Sequence, residues 1–388
     1  MFQLDNVITD KYTGVFMTTL SATFYAATPD DPPASTADLI LPLTTRSDTS
    51  SQMLVYPGRA SVKAVLPINA AQAWLEIIAT GAADEEFWYG NVLERWVDYF
   101  PAAELIGQGP LREVQVRIDG QLAGFVYPFP VIYTGGANPL LWRPLASLRA
   151  FDIPSAFIDV SPFLPMLSDG QPHDFSFSVF GQGDEGSIND NWFITGALHL
   201  VLDPSDPPIR TTGRLLSYDA PSAPLILSAG FPSPDGASLR TFVSAQRTLR
   251  IEAELETGSE GRRLVHVAHE VEFNNEQRFD DNGTYQSVSQ SISSLYTSTH
   301  GGHLLLRDVS SFPLSLTTNY TLLASAHRFS ADVDAYGYDR ALSLPPALGG
   351  LEGRARVTKS AQRGAAEITG REGALSTVGA RWTSGTRS

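Results

Sequence analysis

Apolar residues recur at every second position through much of the chain, and that period commits it to strands. Phe175, Phe177 and Val179 share one parity, with Ser176 and Ser178 on the other. Trp192, Ile194, Leu198, Leu200 and Leu202 form a second set. Leu249, Ile251, Ala253 and Leu255 form a third, and Val265, Val267, Val271 and Phe273 a fourth. Successive side chains of a strand leave on opposite faces, so each set marks the buried face of a sheet. Val114, Val116 and Ile118 alternate with Glu113, Gln115 and Arg117 and run into Asp119-Gly120, a pair suited to a two-residue hairpin turn. The fold expected is all-β: tandem antiparallel β-sandwiches, jelly-roll-like, followed by a further β region.

The pattern breaks near Gly107–Pro110 and again in DPSDPP, Asp203–Pro208. These breaks place a first sandwich at residues 1–107, a second at 108–205 and a further β region at 209–345. From Gly349 the chain turns locally basic, keeps one aromatic residue (Trp382) and loses its period. Residues 349–388 are therefore expected to form a disordered tail. Ala70 to Ala79 stands apart, because its composition has helical propensity.

Of 388 residues, 43% are hydrophobic, ample for a core, and the 32 Gly and 26 Pro fit many turns. A net charge of −15 argues against nucleic acid or an anionic membrane as partner. With no cysteine, disulfides, thiolate metal sites and cysteine nucleophiles are excluded. The histidines offer no metal motif: His266 and His269 fall on opposite faces of a strand, and His300 and His303 flank Gly301-Gly302 in a turn. No cofactor is expected. The N-terminal run MFQLDNVITDKYTGVF lacks a basic stretch followed by an apolar one, so it does not read as a signal peptide. Asn282-Gly283-Thr284 and Asn319-Tyr320-Thr321 are acceptor triplets for N-glycosylation.

Chemistry concentrates in Asp84-Glu85-Glu86-Phe87-Trp88-Tyr89, where carboxylates meet large aromatics. Read as a strand, Glu86 and Trp88 share a face, and Glu85 points the other way. A carboxylate against an indole has its pKa raised and can work as an acid near neutral pH. The alternative is a charged loop tip before a core strand. Tyr89 and Asn91 follow as candidate substrate contacts. Further on, Tyr127 to Pro165 is rich in proline and aromatic residues, with Trp142 and Arg143 between two prolines. Trp142 is either a sugar platform or a plug between sheets, and Arg143 either a donor to sugar hydroxyls or a structural cation. Asp152 and Asp159 read as turn caps.

The strings YPFPVIYTGG, NPLLWRP, AFDIPSAFIDVSPFLP, DGQPHDFSFSV and NWFITGALHLVLD follow one another between residues 127 and 203. With DNVITDKYTGVF (5–16) and EEFWYGNV (85–92), they resemble the peptide N-glycosidase A family of plant and fungal glycoamidases, over roughly residues 1–345. The resemblance implies hydrolysis of the amide between asparagine and the innermost N-acetylglucosamine of an N-glycan, on glycosylated peptides or proteins, by carboxylates without a metal. It implies a strand at Ala70–Ala79, a catalytic role for Glu86 with Glu85 beside it, and substrate contacts from Trp88, Tyr89, Asn91, Trp142 and Arg143. It also implies a secreted or vacuolar setting. Family members carry a Phe-Asp-Arg motif upstream, whose aspartate the resemblance makes a principal acid or base. This sequence starts after it, so the first sandwich is expected to be N-terminally incomplete. A non-catalytic glycan-binding sandwich, or a glycosidase with paired carboxylates, would be the alternatives.

Overall fold

The computed structural model describes residues 8–28, 36–46, 51–323, 326–350, 354–371 and 374–387. Residues 5–7 of the N-terminal motif lie outside the described residues, and 8–28 run exposed without helix or strand. The strands begin with β1 (Leu39–Pro42), β2 (Thr45–Arg46), β3 (Ser51–Gln52), β4 (Leu54–Tyr56), β5 (Ser61–Val65) and β6 (Ala70–Gly81). An excursion without strands covers 82–112. Then come β7 (Glu113–Ile118), β8 (Gln121–Val126), β9 (Ala156–Asp159), β10 (Pro172–Phe180) and β11 (Trp192–Leu202). One sheet runs β1-β11-β6-β9, with β4 also on β11, and the other runs β5-β10-β7-β8. The sheets meet where Ile158 of β9 lies over Gly124 of β8, so closely that a Cβ at 124 would come within 2.7 Å of it.

The all-β class is as expected, but the division at Gly107–Pro110 is not what forms. β6 pairs with β11 from Gly81↔Trp192 to Ala70↔Leu202, and β5 pairs with β10, so both sheets draw strands from either side of that point. Residues 39–202 make one sandwich. The break in pattern near 107 marks the return of the 82–112 excursion, which starts from β6 and comes back into β7.

The same pairing explains why Ala70–Ala79 resembles a helix in composition. β6 is a central strand, hydrogen-bonded to β11 and β9; half of its residues are buried, on both faces, and none is exposed. A strand covered on both faces loses the alternation that identifies a half-buried one. Alternation is intact where one face stays more open. His173, Phe175, Phe177 and Val179 of β10 are all buried, and Asp119 and Gly120 take positive φ (45° and 83°) in the β7–β8 hairpin.

Beyond residue 211 the chain forms a long meander. β12 (Thr212–Asp219) and β13 (Leu225–Pro232) both pair with β14 (Leu239–Thr257). Then follow β15 (Gly261–Asp280), β16 (Tyr285–His300), β17 (His303–Leu323), β18 (Ala326–Ser343), β19 (Arg356–Arg371) and β20 (Ala374–Arg387) in sequence order. The segment expected as a disordered tail thus supplies β19 and β20. Its composition is that of disorder, but the free edge of β18 offers it a ladder, and Gln362 fastens it to the loop at Ala146 O (2.8 Å) and Leu148 N (2.9 Å).

The buried face of the meander lies against the sandwich, and one hydrophobic core runs through both. His269 of β15 stacks on Phe125 of β8 at 4.2 Å, while His266 keeps 47% of its side chain exposed, as opposite strand faces require. Burial, with Arg247 nearby, pushes the His269 imidazole down to about 3, so it is neutral. The Tyr296 hydroxyl accepts a hydrogen bond from Asp159 N (2.7 Å). Asp159 is a turn cap, taking Ser161 N at 2.8 Å, but it is also a clamp between layers. Its buried carboxylate binds Ser298 Oγ and His300 Nε2 (2.7 Å), and His300 stacks on Trp74. Burial alone would raise the Asp159 pKa; His300 and the two serines hold it below the ordinary value. Asp152 sits outside, paired with Arg149 at 2.7 Å.

A candidate active site on an acidic turn

β6 ends at Gly81, and the chain doubles back so tightly that a Cβ there would lie 2.3 Å from Glu85 O. Only glycine fits under that carbonyl. Ala83–Glu85 and Trp88–Gly90 then form successive 3₁₀ turns, in place of the strand expected over 84–89. The change of period moves the side chains. Glu85 and Trp88 are both buried, while Glu86 between them is half-buried and lines a cleft together with the Trp88 indole. Glu86 and Trp88 do not share a strand face as the sequence suggested.

Glu85 is fully buried. Arg112 Nε and Nη2 reach its carboxylate at 2.5 and 2.7 Å, Trp192 Nε1 at 2.8 Å, and Asn189 through its backbone N (2.9 Å) and Nδ2 (3.1 Å). Burial pushes the acid up, but Arg112, Trp192 and Asn189 outweigh it and hold its pKa below the ordinary glutamate value. Its lone pairs are spent on these partners, which makes Glu85 an anchor for the turn rather than a proton acceptor.

Glu86, one residue on, is half-buried, and its side chain has no hydrogen-bond or ion-pair partner among the described residues. Desolvation raises its pKa. It opens into a small cleft lined by Thr80, Trp88, Pro128, Tyr133 and Trp192. The Tyr133 and Thr80 hydroxyls are 2.6 Å apart. Burial raises the Tyr133 pKa, the Thr80 bond offsets part of this, and the charge of Glu86 adds to it, so the phenol stays protonated. The cleft therefore holds one unpaired carboxyl and one hydroxyl pair, beside the Trp88 and Trp192 indoles. That combination can move a proton and donate to a developing oxyanion.

The other candidates are placed differently. Trp88 and Trp142 are 3% and 6% exposed, so neither indole presents an open face to a sugar. Trp88 packs beside Trp192, and Trp142 Nε1 donates to Gly136 O at 2.8 Å. Gly136 lies against the Phe87 ring, so the Tyr133–Gly136 turn sits between the acidic turn and Trp142. Tyr89 and Asn91 are buried too. The Tyr89 hydroxyl donates to Val131 O (3.3 Å), and the backbone carbonyls of Tyr89 and Asn91 accept from Asn275 Nδ2 and Gln277 Nε2, both at 2.9 Å. These contacts fix the turn to the meander. Arg143 is exposed. Asn282 is exposed at the turn after β15, and Asn319 lies half-buried within β17.

Thr80, Tyr133, Arg112, Asn189 and Trp192 were not singled out as site residues by sequence. Tyr133 carried the best signal, as the aromatic before Gly135-Gly136. Asn275 and Gln277 also left a trace: they share parity with Val265, Val267, Val271 and Phe273, so polar groups were bound to enter a buried face.

Comparison with known proteins adds two findings. The family described as peptide N-acetyl-beta-D-glucosaminyl asparaginase amidase A matches residues 1–221, and the PNGase_A C-terminal domain matches 240–314. A peptide-N4-(N-acetyl-beta-glucosaminyl)asparagine amidase A of Prunus dulcis is 31% identical over 340 residues, which is 82% of this chain. The chain spans 57% of the length of that relative. No solved structure matches the chain significantly.

Proposed function

The chain belongs to the peptide N-acetyl-beta-D-glucosaminyl asparaginase amidase A family, and from that premise we propose that it is a glycoamidase whose working acid is Glu86. The substrate is the side-chain amide joining asparagine to N-acetylglucosamine in an N-glycosylated peptide or protein. The observation that carries this is the pairing of an unpartnered, desolvated Glu86 with the Tyr133–Thr80 hydroxyl pair in one cleft.

In this reading Glu86 takes a proton from water as its oxygen adds to the amide carbon. Turning the Thr80 proton from Gly81 O (3.3 Å) to the Tyr133 oxygen leaves the phenolic O–H free to donate to the tetrahedral oxyanion. Glu86 then returns the proton to nitrogen as the C–N bond breaks. Aspartate remains on the peptide and the sugar departs as a glycosylamine. The residues of the turn behind the cleft act by position: Glu85 and Arg112 hold the backbone from which Glu86 projects. A purely glycan-binding role is less favoured, since it calls for an open aromatic face and both Trp88 and Trp142 are buried.

Mass spectrometry of a defined N-glycopeptide incubated with the chain tests the reaction class. Release of the whole glycan with conversion of asparagine to aspartate is the expected result. A peptide left carrying N-acetylglucosamine would mean glycosidase chemistry, and an unchanged glycopeptide would leave the chain without this activity.

A further inference from the structure

One wall of the Glu86 cleft has no sheet behind its backbone. Pro128, Phe129, Val131 and Tyr133 line it, and residues 128–133 form neither strand nor helix. Pro128 and Pro130 carry no backbone N–H, so neither can donate to a ladder. Hydroxyl groups from three other elements tie the wall down. Tyr89, on the acidic turn, donates to Val131 O (3.3 Å), and the Tyr133 hydroxyl meets Thr80 of β6 at 2.6 Å. Ile132, between them, is fully buried, and its N–H donates to the hydroxyl of Tyr336 (3.1 Å), which β18 supplies from 204 residues along the chain.

Tyr336 is buried, and its hydroxyl is used in full. A phenol has one proton to donate and an oxygen that accepts. The proton goes to Leu148 O (3.2 Å), while the oxygen takes the Ile132 N–H and lies 3.5 Å from Ser147 Oγ. The ring stacks on Phe129, another cleft residue, with centroids 5.4 Å apart. Burial pushes the phenol well above the ordinary tyrosine pKa, so it keeps its proton. One side chain of the meander thus grips the wall at Phe129 and again at Ile132, the residue directly before Tyr133. Phenylalanine at 336 would keep the stack but leave the Ile132 N–H buried without its acceptor.

We propose that Tyr336 is a positioning residue for amide hydrolysis in the Glu86 cleft: by holding the backbone at Phe129 and Ile132, it sets where the Tyr133 hydroxyl stands relative to Glu86. The role rests on the glycoamidase reading of that cleft. Tyr336 is not among the residues that line the cleft, so it acts through Tyr133 and not on the substrate. An oxyanion donor works only where it is aimed, and a misplacement of about 1 Å can cost about a hundredfold. Removing the Tyr336 hydroxyl leaves the Phe129 stack and the Thr80 contact in place, so a smaller loss, about tenfold, is expected. The site is then built across both layers: the sandwich supplies Glu86 and Thr80, and the meander fixes the wall that carries Tyr133.

Turnover of a defined N-glycopeptide in a double-mutant cycle of Tyr336→Phe and Tyr133→Phe tests it. Tyr336→Phe alone should lower kcat about tenfold, with KM within about twofold of the parent chain. In a chain that already carries Tyr133→Phe it should cost little more, because the donor it positions is gone. A merely structural loss would lower the folded fraction and so cost the same factor in both backgrounds. Amide hydrogen exchange at Ile132 should be faster in Tyr336→Phe, while the amides of β14 and β15 exchange as in the parent. Tyr338→Phe, two residues along β18, is the control: its hydroxyl takes Arg340 Nη1 (3.3 Å) instead of the wall, and turnover should be unchanged. With the parent active, equal factors in the two backgrounds, an unchanged kcat in Tyr336→Phe, unchanged exchange at Ile132 or an equal loss in Tyr338→Phe would each overturn this role alone. A parent chain that turns over no glycopeptide would overturn the glycoamidase reading, and this role with it.

Discussion

The two sides of the turn after β6 meet opposite fates. On the inner side Glu85 is saturated by Arg112, Trp192 and Asn189, and its pKa is held down. On the outer side the Glu86 carboxylate has no partner among the described residues, and partial burial pushes its pKa up. The two residues are adjacent and chemically identical. Their difference teaches that environment assigns the role: a carboxylate surrounded by donors becomes structure, and one left half-dry beside a phenol becomes available for proton transfer.

The largest effect that tests this contrast is on stability. Glu85→Gln keeps the shape but leaves the Arg112 guanidinium buried without a counter-charge, at a cost of about 3–5 kcal/mol. Urea unfolding would register it, and a change within about 0.5 kcal/mol, the range of ordinary surface substitutions, would break the comparison. From the sequence, Glu85 pointed to the strand face opposite Glu86; the 3₁₀ turn instead buries it against Arg112 and Trp192.

The next effect concerns the phenol. Tyr133→Phe removes the O–H aimed at the cleft and should lower turnover about a hundredfold, the scale of a single oxyanion donor, with glycopeptide binding nearly unchanged. Loss of binding in step with turnover would instead make Tyr133 a substrate contact.

The smallest effect is a separation of titrations. Carboxyl resonances followed by NMR should show Glu86 taking up its proton above the ordinary glutamate value and Glu85 below it. The signs for stability follow. Glu85 is depressed in the folded state, so its contribution is present above the unfolded pKa and is lost as pH falls through the folded pKa. Glu86 is raised, so its contribution is present below the unfolded pKa and is lost as pH rises through the folded one. If Glu85 titrates above Glu86, the two sides have been assigned the wrong way round.

Much of the fold could be read from residue order alone, because a half-buried strand writes its face into the sequence. β10, β11, β14 and β15 carry that alternation, and Asp119-Gly120 announces its hairpin. Where burial is two-sided, as in β6, the same rule falls silent, and only family resemblance pointed to a strand. The acidic turn was misread because E-E-F-W-Y alternates acceptably as a strand. What bends it is a close contact of Gly81 with Glu85, which no spacing reveals. Arg112 lies 27 residues from Glu85, and Trp192 lies 107 residues away, so the partners that silence one glutamate were invisible until the strands paired. The boundary expected near 107 failed for the same reason: β6 and β11 are neighbours in space although more than a hundred residues separate them in sequence.

The central claim is that one step along the turn separates a structural glutamate from a catalytic one. Turnover of a defined N-glycopeptide by Glu86→Gln, measured beside its urea unfolding, addresses it most directly. The expected result is a loss of turnover of about a hundredfold or more, with unfolding close to that of the parent chain. Near-normal turnover in Glu86→Gln would contradict the assignment and move the working acid elsewhere.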